Sequence, residues 1–290
     1  ESKYLTLMTR CFKQHPIINE CLLKLEEILT TNKCKTYSDK FRTGLRFLKV
    51  KLIDNKLQLV FITGRDGLKE EIVKEISQLP HVASIFMSVN TSKHQEFDEL
   101  GYSKLYGATR LELHDDKNQY LVSVKSKLPE NIEMMWKQNQ TIKSSVQDSQ
   151  KIISLNCGIG LLELNLDQEI VAIDEKRYQI DDAKLNAKYL KKENVTFIAG
   201  DLDSKIVTYA KKKVYDTLII QNERYGLSDT IKDTIKIAKF KTIIYACQSH
   251  STLAKDLADL EKNYKLERII GLDTSCHNSY LTTIVKLARK

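Results

Sequence analysis

Cys157, Gly158, Ile159 and Gly160 follow directly on the apolar run Lys151–Asn156, and acids close two further apolar runs at Asp174 and Asp201. Glycines after a strand let backbone N–H groups approach a ligand closely. An acid at the end of the next strand can accept both hydroxyls of a ribose. One after the third strand can accept from an exocyclic amine such as adenine N6. A bare G-x-G is also what a plain strand–helix turn contains, and each acid alone reads equally as a helix N-cap. The three together, in chain order and each at a strand end, point to an adenosine-type cofactor.

The elements that must position these residues alternate. Strands are expected at Lys151–Asn156, Glu169–Asp174, Val195–Ala199, Tyr215–Ile220 and Lys241–Ala246. Helices are expected at Lys176–Lys192, Lys205–Lys211, Asp229–Ala238 and His250–Asn263. Alternation of this kind gives a parallel sheet with helices on both faces. Two last strands, Arg268–Leu272 and Leu281–Leu287, have no helix between them and read as an antiparallel hairpin edge. That is the layout of a Rossmann-like class I methyltransferase domain, a seven-stranded, mostly parallel sheet. The terminal hairpin is untypical of dehydrogenases and makes S-adenosylmethionine the cofactor of choice.

The first half reads as a smaller α+β domain. A helix is expected at His15–Thr30, with Pro16 in its first turn. Leu45–Leu52 and Leu57–Thr63 flank a hairpin signal, and Gly67–Leu79 reads as a helix stopped by Pro80. Val82–Val89 is a strand, Leu105–His114 and Gln119–Val124 a second hairpin, and Pro129–Ile142 a helix. The polar link from Lys143 to Gln150 sets the expected boundary, with domains 1–142 and 143–290.

Composition bounds the function classes. The chain has 290 residues, 42% hydrophobic and 29% charged, too apolar for disorder. No apolar run approaches the ~20 residues that span a bilayer, so no membrane partner is expected. The first thirty residues lack a signal-peptide core, and Glu1 in place of Met points to a segment upstream. The 6 cysteines show no C-x-x-C spacing, so neither a metal nor an iron–sulfur cluster is expected. Scattered thiols read as intracellular, in cytoplasm or mitochondrion. The net charge of +8 leans toward polyanions, and lysines far outnumber arginines, which favours diffuse phosphate attraction over base reading.

A resemblance now becomes specific. Val171–Asp201 (VAIDEKRYQIDDAKLNAKYLKKENVTFIAGD) resembles the core of the RNA uracil-C5 methyltransferases. Ile243–Leu257 (IIYACQSHSTLAKDL) is similar to that family's nucleophile segment, I-Y-V-S-C-N-P-x-T-L-A-R-D-L. Gln14–Leu29, Thr43–Arg46 and Ser84–Ser92 follow the family's central domain in order. The family's N-terminal OB-type domain and cysteine-rich iron–sulfur segment have no counterpart in this sequence. The resemblance implies a cysteine thiolate that adds to uracil C6, a carboxylate that removes the C5 proton, and polar side chains that hold cofactor and base.

Position by position, the sequence departs from that pattern. The nucleophile position falls on Gln248, with Cys247 one place early, and the proton-acceptor position falls on Thr282. Cys247 is a substitute nucleophile only if the loop shifts, because one step along a strand turns a side chain to the other face. His277 and Glu223 are the substitute bases. Gln221 stands where the family has an acid, Ser154 replaces the acid three residues before Cys157, and Pro129 stands for a cofactor-holding glutamine.

The expectation is therefore a catalytically inactive uracil-C5-methyltransferase-like protein that binds RNA (rRNA or tRNA), in a ribosome or ribosome-assembly particle, including a mitochondrial one. Gly158, Gly160, Asp174, Asp201 and Gln221 remain as the cofactor set, holding S-adenosylmethionine weakly or not at all. The rivals are a working methyltransferase that uses Cys247, and a protein-interaction module that binds no RNA.

Overall fold

The computed structural model describes residues 10–92, 101–222, 224–275 and 281–290. Contacts divide the chain after Lys125 into two units. The boundary read from the sequence lies between 142 and 143, at the start of the polar link, whereas the contacts group the whole helix Ile132–Ser145 with the second unit. Among the described residues no helix is long and apolar enough to cross a membrane.

The first unit is built on a four-stranded sheet in the order β1-β2-β3-β4, from β1 (Leu45–Ile53), β2 (Lys56–Thr63), β3 (Val82–Val89) and β4 (Ser103–Gly107). Asp54 and Asn55 take positive φ, 45° and 62°, and so form the tight turn that matches strand twist between β1 and β2. β2 and β3 run parallel, joined through α2 (Glu70–Ser77). Helix α1 (Pro16–Thr31) buries Cys21 and Leu25 in one cluster with Leu59, Phe61, Ile72 and Ile76.

The run 105–114, expected as one strand, is two. Gly107 ends β4 at φ 76°, and a Cβ there would lie 2.0 Å from the Ala83 carbonyl oxygen. The chain then restarts as β5 (Arg110–His114), which pairs with β6 (Gln119–Ser123) in a separate hairpin. A glycine inside an apolar run leaves the hydrophobic pattern intact while ending the pairing.

The second unit opens with α3 (Ile132–Ser145), and its sheet has seven strands. They are β7 (Lys151–Leu155), β8 (Glu169–Asp174), β9 (Val195–Ala199), β10 (Thr217–Asn222), β11 (Thr242–Cys247), β12 (Tyr264–Leu272) and β13 (Thr282–Arg289). Their order is β12-β13-β11-β10-β7-β8-β9. The first five run parallel, and β13 pairs antiparallel with both β11 and β12. This is the expected α/β class I methyltransferase sheet, preceded by a smaller mixed-sheet unit.

Alternate residues divide the sheet's two faces. Ile153, Leu155, Val171, Ile173, Leu218, Ile220, Ile243, Tyr245 and Cys247 form one core cluster. It also takes in Ile206 of α5 (Leu202–Ala210), Ile231 and Ile235 of α6 (Asp229–Ala238), and Leu253 and Leu260 of α7 (His250–Leu260). Helix α4 (Arg177–Tyr189) packs along β8 and β9. The strand order reverses between β7 and β10, and the crevice beyond the strand ends there is where such sheets take ligands.

Candidate active site

The glycine loop is tied to the strand beside it. The Cys157 N–H donates to the Ile173 carbonyl at 3.2 Å, which carries the β7–β8 pairing one step past the strand. Asn156, Gly158 and Gly160 all take positive φ, 58°, 56° and 77°. The chain therefore turns over sharply, and past Cys157 its N–H groups leave the ladder, that of Gly160 donating to the Cys157 carbonyl at 2.9 Å. The Gly158 N–H donates to Asp174 Oδ2 at 2.9 Å, and the Lys176 N–H donates to Asp174 Oδ1 at 2.8 Å. Asp174 is only 8% exposed, yet each oxygen keeps a second lone pair for a ligand hydroxyl.

The two glycines serve different ends. A Cβ on Gly158 would meet nothing within 4 Å, so the loop is open to a ligand on that side. A Cβ on Gly160 would lie 2.5 Å from Phe197 Cζ, so this glycine lets the loop close down on β9. Asn156 was not singled out by the sequence. Its Nδ2 donates to Asn222 Oδ1 at 2.6 Å, joining the ends of β7 and β10 across the switch point.

Asp201 caps α5: its Oδ1 accepts the Ser204 N–H at 2.8 Å, and the residue is exposed. Gln221 lies on the same sheet face as Ser154 and Asp174. Its Nε2 donates to Glu163 Oε1 at 3.3 Å, and Ser154 Oγ donates to the same oxygen at 2.6 Å. Glu163 opens a 3-10 turn (Glu163–Asn165) just after the glycine loop and is wholly buried. Burial pushes its carboxyl up to about 7, with Asp174 adding to the rise and the Ser154 hydroxyl opposing it. The same burial, with Glu163 and Asp174 nearby, holds the Cys157 thiol well above its ordinary value. The sequence reading missed Glu163; its signal was a lone acid inside the apolar run Leu161–Leu166.

The two positions matched to catalysis lie at the same end of a strand pair. Cys247 pairs with Thr283, the last step in the β11–β13 register, and the same register carried one step on would set Gln248 opposite Thr282. Thr282 is 3% exposed, and its Oγ1 lies 2.9 Å from Thr274 Oγ1. Gln248 is half-buried. The Cys247 side chain turns the other way, into the core cluster, at 0% exposure. Its Sγ accepts the Ser249 N–H at 3.4 Å. His277 and Glu223, the substitute bases, lie outside the described residues, and Pro129 is exposed ahead of α3.

Behind these positions, Asp256 on α7 is buried and shared. Its Oδ2 accepts the Tyr245 hydroxyl at 2.9 Å and the Leu227 N–H at 3.0 Å, while Lys232 Nζ lies 3.1 Å from Oδ1. Burial, with Cys247 and Asp256 beside it, keeps the Tyr245 hydroxyl protonated well past its ordinary range. The strand end that carries Cys247 and Gln248 is thus fixed to α6 and α7.

No family model matches the chain. A Halalkalibacterium halodurans protein named an uncharacterized RNA methyltransferase is 28% identical over 92% of this chain and 60% of its own length. An Enterococcus faecalis protein of the same description is 25% identical over 100% of the chain and 66% of its own length. The chain thus spans somewhat under two thirds of the length of these curated relatives. The crystal structure of a Pyrococcus abyssi tRNA (uracil-54, C5)-methyltransferase in complex with S-adenosyl-L-homocysteine superposes with a TM-score of 0.78. It is 20% identical, and the match covers 94% of this chain and 66% of that one. An M. jannaschii tRNA m1G37 methyltransferase reaches 0.51 at 14% identity, over 83% of this chain and 74% of that one. At these identities the structures show the fold, and the sequence relatives tie the chain to proteins named RNA methyltransferases.

The expectation of a catalytically inactive RNA-binding protein in a ribosome or assembly particle is corrected by these relatives. Proteins similar along nearly the whole chain carry the name of RNA methyltransferases, and the bacterial relatives lend no support to inactivity, to ribosome assembly or to a mitochondrial setting. The expectation rested chiefly on Gln248 and Thr282. At Ser154, the cofactor-side substitution, a carboxyl does lie close by, with Glu163 Oε1 at 2.6 Å from Ser154 Oγ.

Proposed function

We propose that this protein is an S-adenosylmethionine-dependent RNA methyltransferase. The observation that carries this reading is Asp174, a buried acid bound to the Gly158 N–H at the mouth of the switch-point crevice. These residues fit the cofactor: the space at Gly158 is open, Asp174 can accept ribose hydroxyls, Asp201 can accept from the adenine amine, and a buried carboxyl oxygen of Glu163 has no partner. When bound, the cofactor supplies an electrophilic methyl group on a sulfonium sulfur. The chain's own task is to orient it against an RNA atom, and the +8 charge draws the phosphate backbone to the protein.

The motif segments favour uracil C5 as the acceptor. That carbon becomes nucleophilic only after a thiolate adds at C6. Cys247 is the candidate thiol, and presenting it requires the turn at 247–249 to reset, breaking the contact to the Ser249 N–H. Its complete burial favours a second reading within the same activity, in which the acceptor is a nitrogen or a ribose hydroxyl that already carries a lone pair.

The test is methyl transfer from radiolabelled cofactor to unmodified tRNA and rRNA transcripts, with the product nucleoside identified by mass spectrometry. Labelled RNA is expected; none with either substrate would sink the proposal. Transcripts carrying tritium at uracil C5 separate the acceptors, because C5 transfer must expel that hydrogen. Tritium release abolished by Cys247→Ser marks the C5 route. Methylation without tritium release, retained in Cys247→Ser, marks the heteroatom route.

A further inference from the structure

Glu163 is a buried acid with one carboxyl oxygen paired and the other not. Its Oε1 takes two neutral donors, Ser154 Oγ at 2.6 Å and Gln221 Nε2 at 3.3 Å. Its Oε2 is buried with no partner at all. Unpaired carboxyl oxygens are rarely left inside a protein, because an unmet buried polar atom costs ~1–3 kcal/mol. The donors on Oε1 orient the group, which lies at the strand ends of β7 and β10, three residues after Gly160. Among the described residues, burial and Asp174 oppose its ionisation, while the Ser154 hydroxyl and its own turn's backbone favour it. What this set lacks is a cation.

We propose that Glu163 supplies, from the 3-10 turn, the carboxylate that the resembled pattern has at position 154, and that its free oxygen accepts from the ammonium group at the amino-acid end of the cofactor. This rests on the methyltransferase reading. The ammonium is the chemical complement of an unpaired buried carboxylate, and it is the end of the cofactor that Asp174 and Asp201 leave unengaged. Burial raises the Glu163 carboxyl to about 7, so it is largely protonated at pH 6 and largely ionised at pH 8. A cation arriving beside it favours the ionised form, so binding releases a proton from Glu163 to solvent, and no other bond changes.

The experiment is titration calorimetry of the whole chain with S-adenosylhomocysteine and, separately, with 5′-methylthioadenosine, which lacks the amino-acid end. Affinity for S-adenosylhomocysteine is expected to rise about tenfold from pH 6 to pH 8, with proton release seen as a buffer-dependent heat at pH 6. Glu163→Gln should weaken it roughly 10- to 100-fold and abolish the buffer dependence, while leaving 5′-methylthioadenosine unaffected. Ser154→Asp added to Glu163→Gln returns a carboxylate to the same place and should restore affinity. Equal weakening of both ligands by Glu163→Gln would make the residue merely structural and overturn the proposal. Unchanged binding in that variant would overturn it too. If the wild-type chain binds 5′-methylthioadenosine but gains nothing from the amino-acid end, only this inference falls. If it binds neither ligand at any pH, the methyltransferase reading falls with it.

Discussion

Asp174 Oδ2 accepts the Gly158 N–H at 2.9 Å, so the acid that closes one strand fixes the loop that follows its neighbour. Asp174→Ala removes the acceptor for that donor and for the Lys176 N–H. Each buried donor left unmet costs ~1–3 kcal/mol. The variant should lose about 2 kcal/mol or more in urea unfolding and show no measurable heat with S-adenosylhomocysteine. Wild-type affinity in the variant would remove Asp174 from the site.

Gly158→Ala and Gly160→Ala should part company. Both need a left-handed backbone, which costs an L-residue ~1–2 kcal/mol. Only at Gly160 does the new methyl strike a ring, with Phe197 Cζ at 2.5 Å, adding the ~1–3 kcal/mol of an overpacked core. Chemical denaturation should rank Gly160→Ala well below Gly158→Ala, with Phe197→Leu recovering part of the difference. Equal losses would mean that the loop does not rest on the ring.

Stability should fall with pH because of Glu163. Its carboxyl moves from 4.5 to about 7 on folding, so the native state holds the proton more tightly. The neutral form's stabilisation is complete below pH 4.5 and is lost as pH rises to about 7, for ~3 kcal/mol in all. Denaturation curves from pH 4.5 to pH 8 should show this slope in the wild type and a shallower one in Glu163→Gln. Parallel curves would assign the slope to other groups.

Iodoacetamide should alkylate the half-buried Cys11 well before Cys157 or Cys247, as read by peptide mass spectrometry. Burial keeps Cys157 protonated, and Cys247 offers no surface. Fast labelling of Cys247 would show that the 247–249 turn opens freely and would favour the uracil C5 route.

Asp256→Ala leaves the Tyr245 hydroxyl and the Leu227 N–H without their acceptor, whereas Lys232 keeps Asp259 at 2.8 Å. A loss of about 2–4 kcal/mol is expected, against about 1 kcal/mol for Tyr245→Phe, both from thermal unfolding. A smaller effect for Asp256→Ala than for Tyr245→Phe would mean that the aspartate is not the hub.

Much of this was legible in the sequence because strand ends announce themselves. Asp174 and Gly158 each close or follow an apolar run, and the alternating elements dictate that both reach one edge of a parallel sheet. The placing of Gln248 and Thr282 at the same end of a strand pair was not legible, since it depends on β13 returning antiparallel beside β11. Glu163 escaped because a 3-10 turn brings a residue 9 positions downstream back onto Ser154, a distance at which matching motif columns is blind. Gly107 escaped because ending a strand leaves the apolar pattern around it untouched.

The chain's only tryptophan, Trp136, sits on α3, in the unit that follows Lys125. Excitation at a wavelength that tyrosine does not absorb therefore reports on the sheet with the glycine loop and is silent about the four-stranded sheet before it. Far-ultraviolet circular dichroism sees both. Overlaying the two signals along a denaturant gradient distinguishes a chain that melts in one step from one whose halves let go separately, without cutting the polypeptide or attaching a dye.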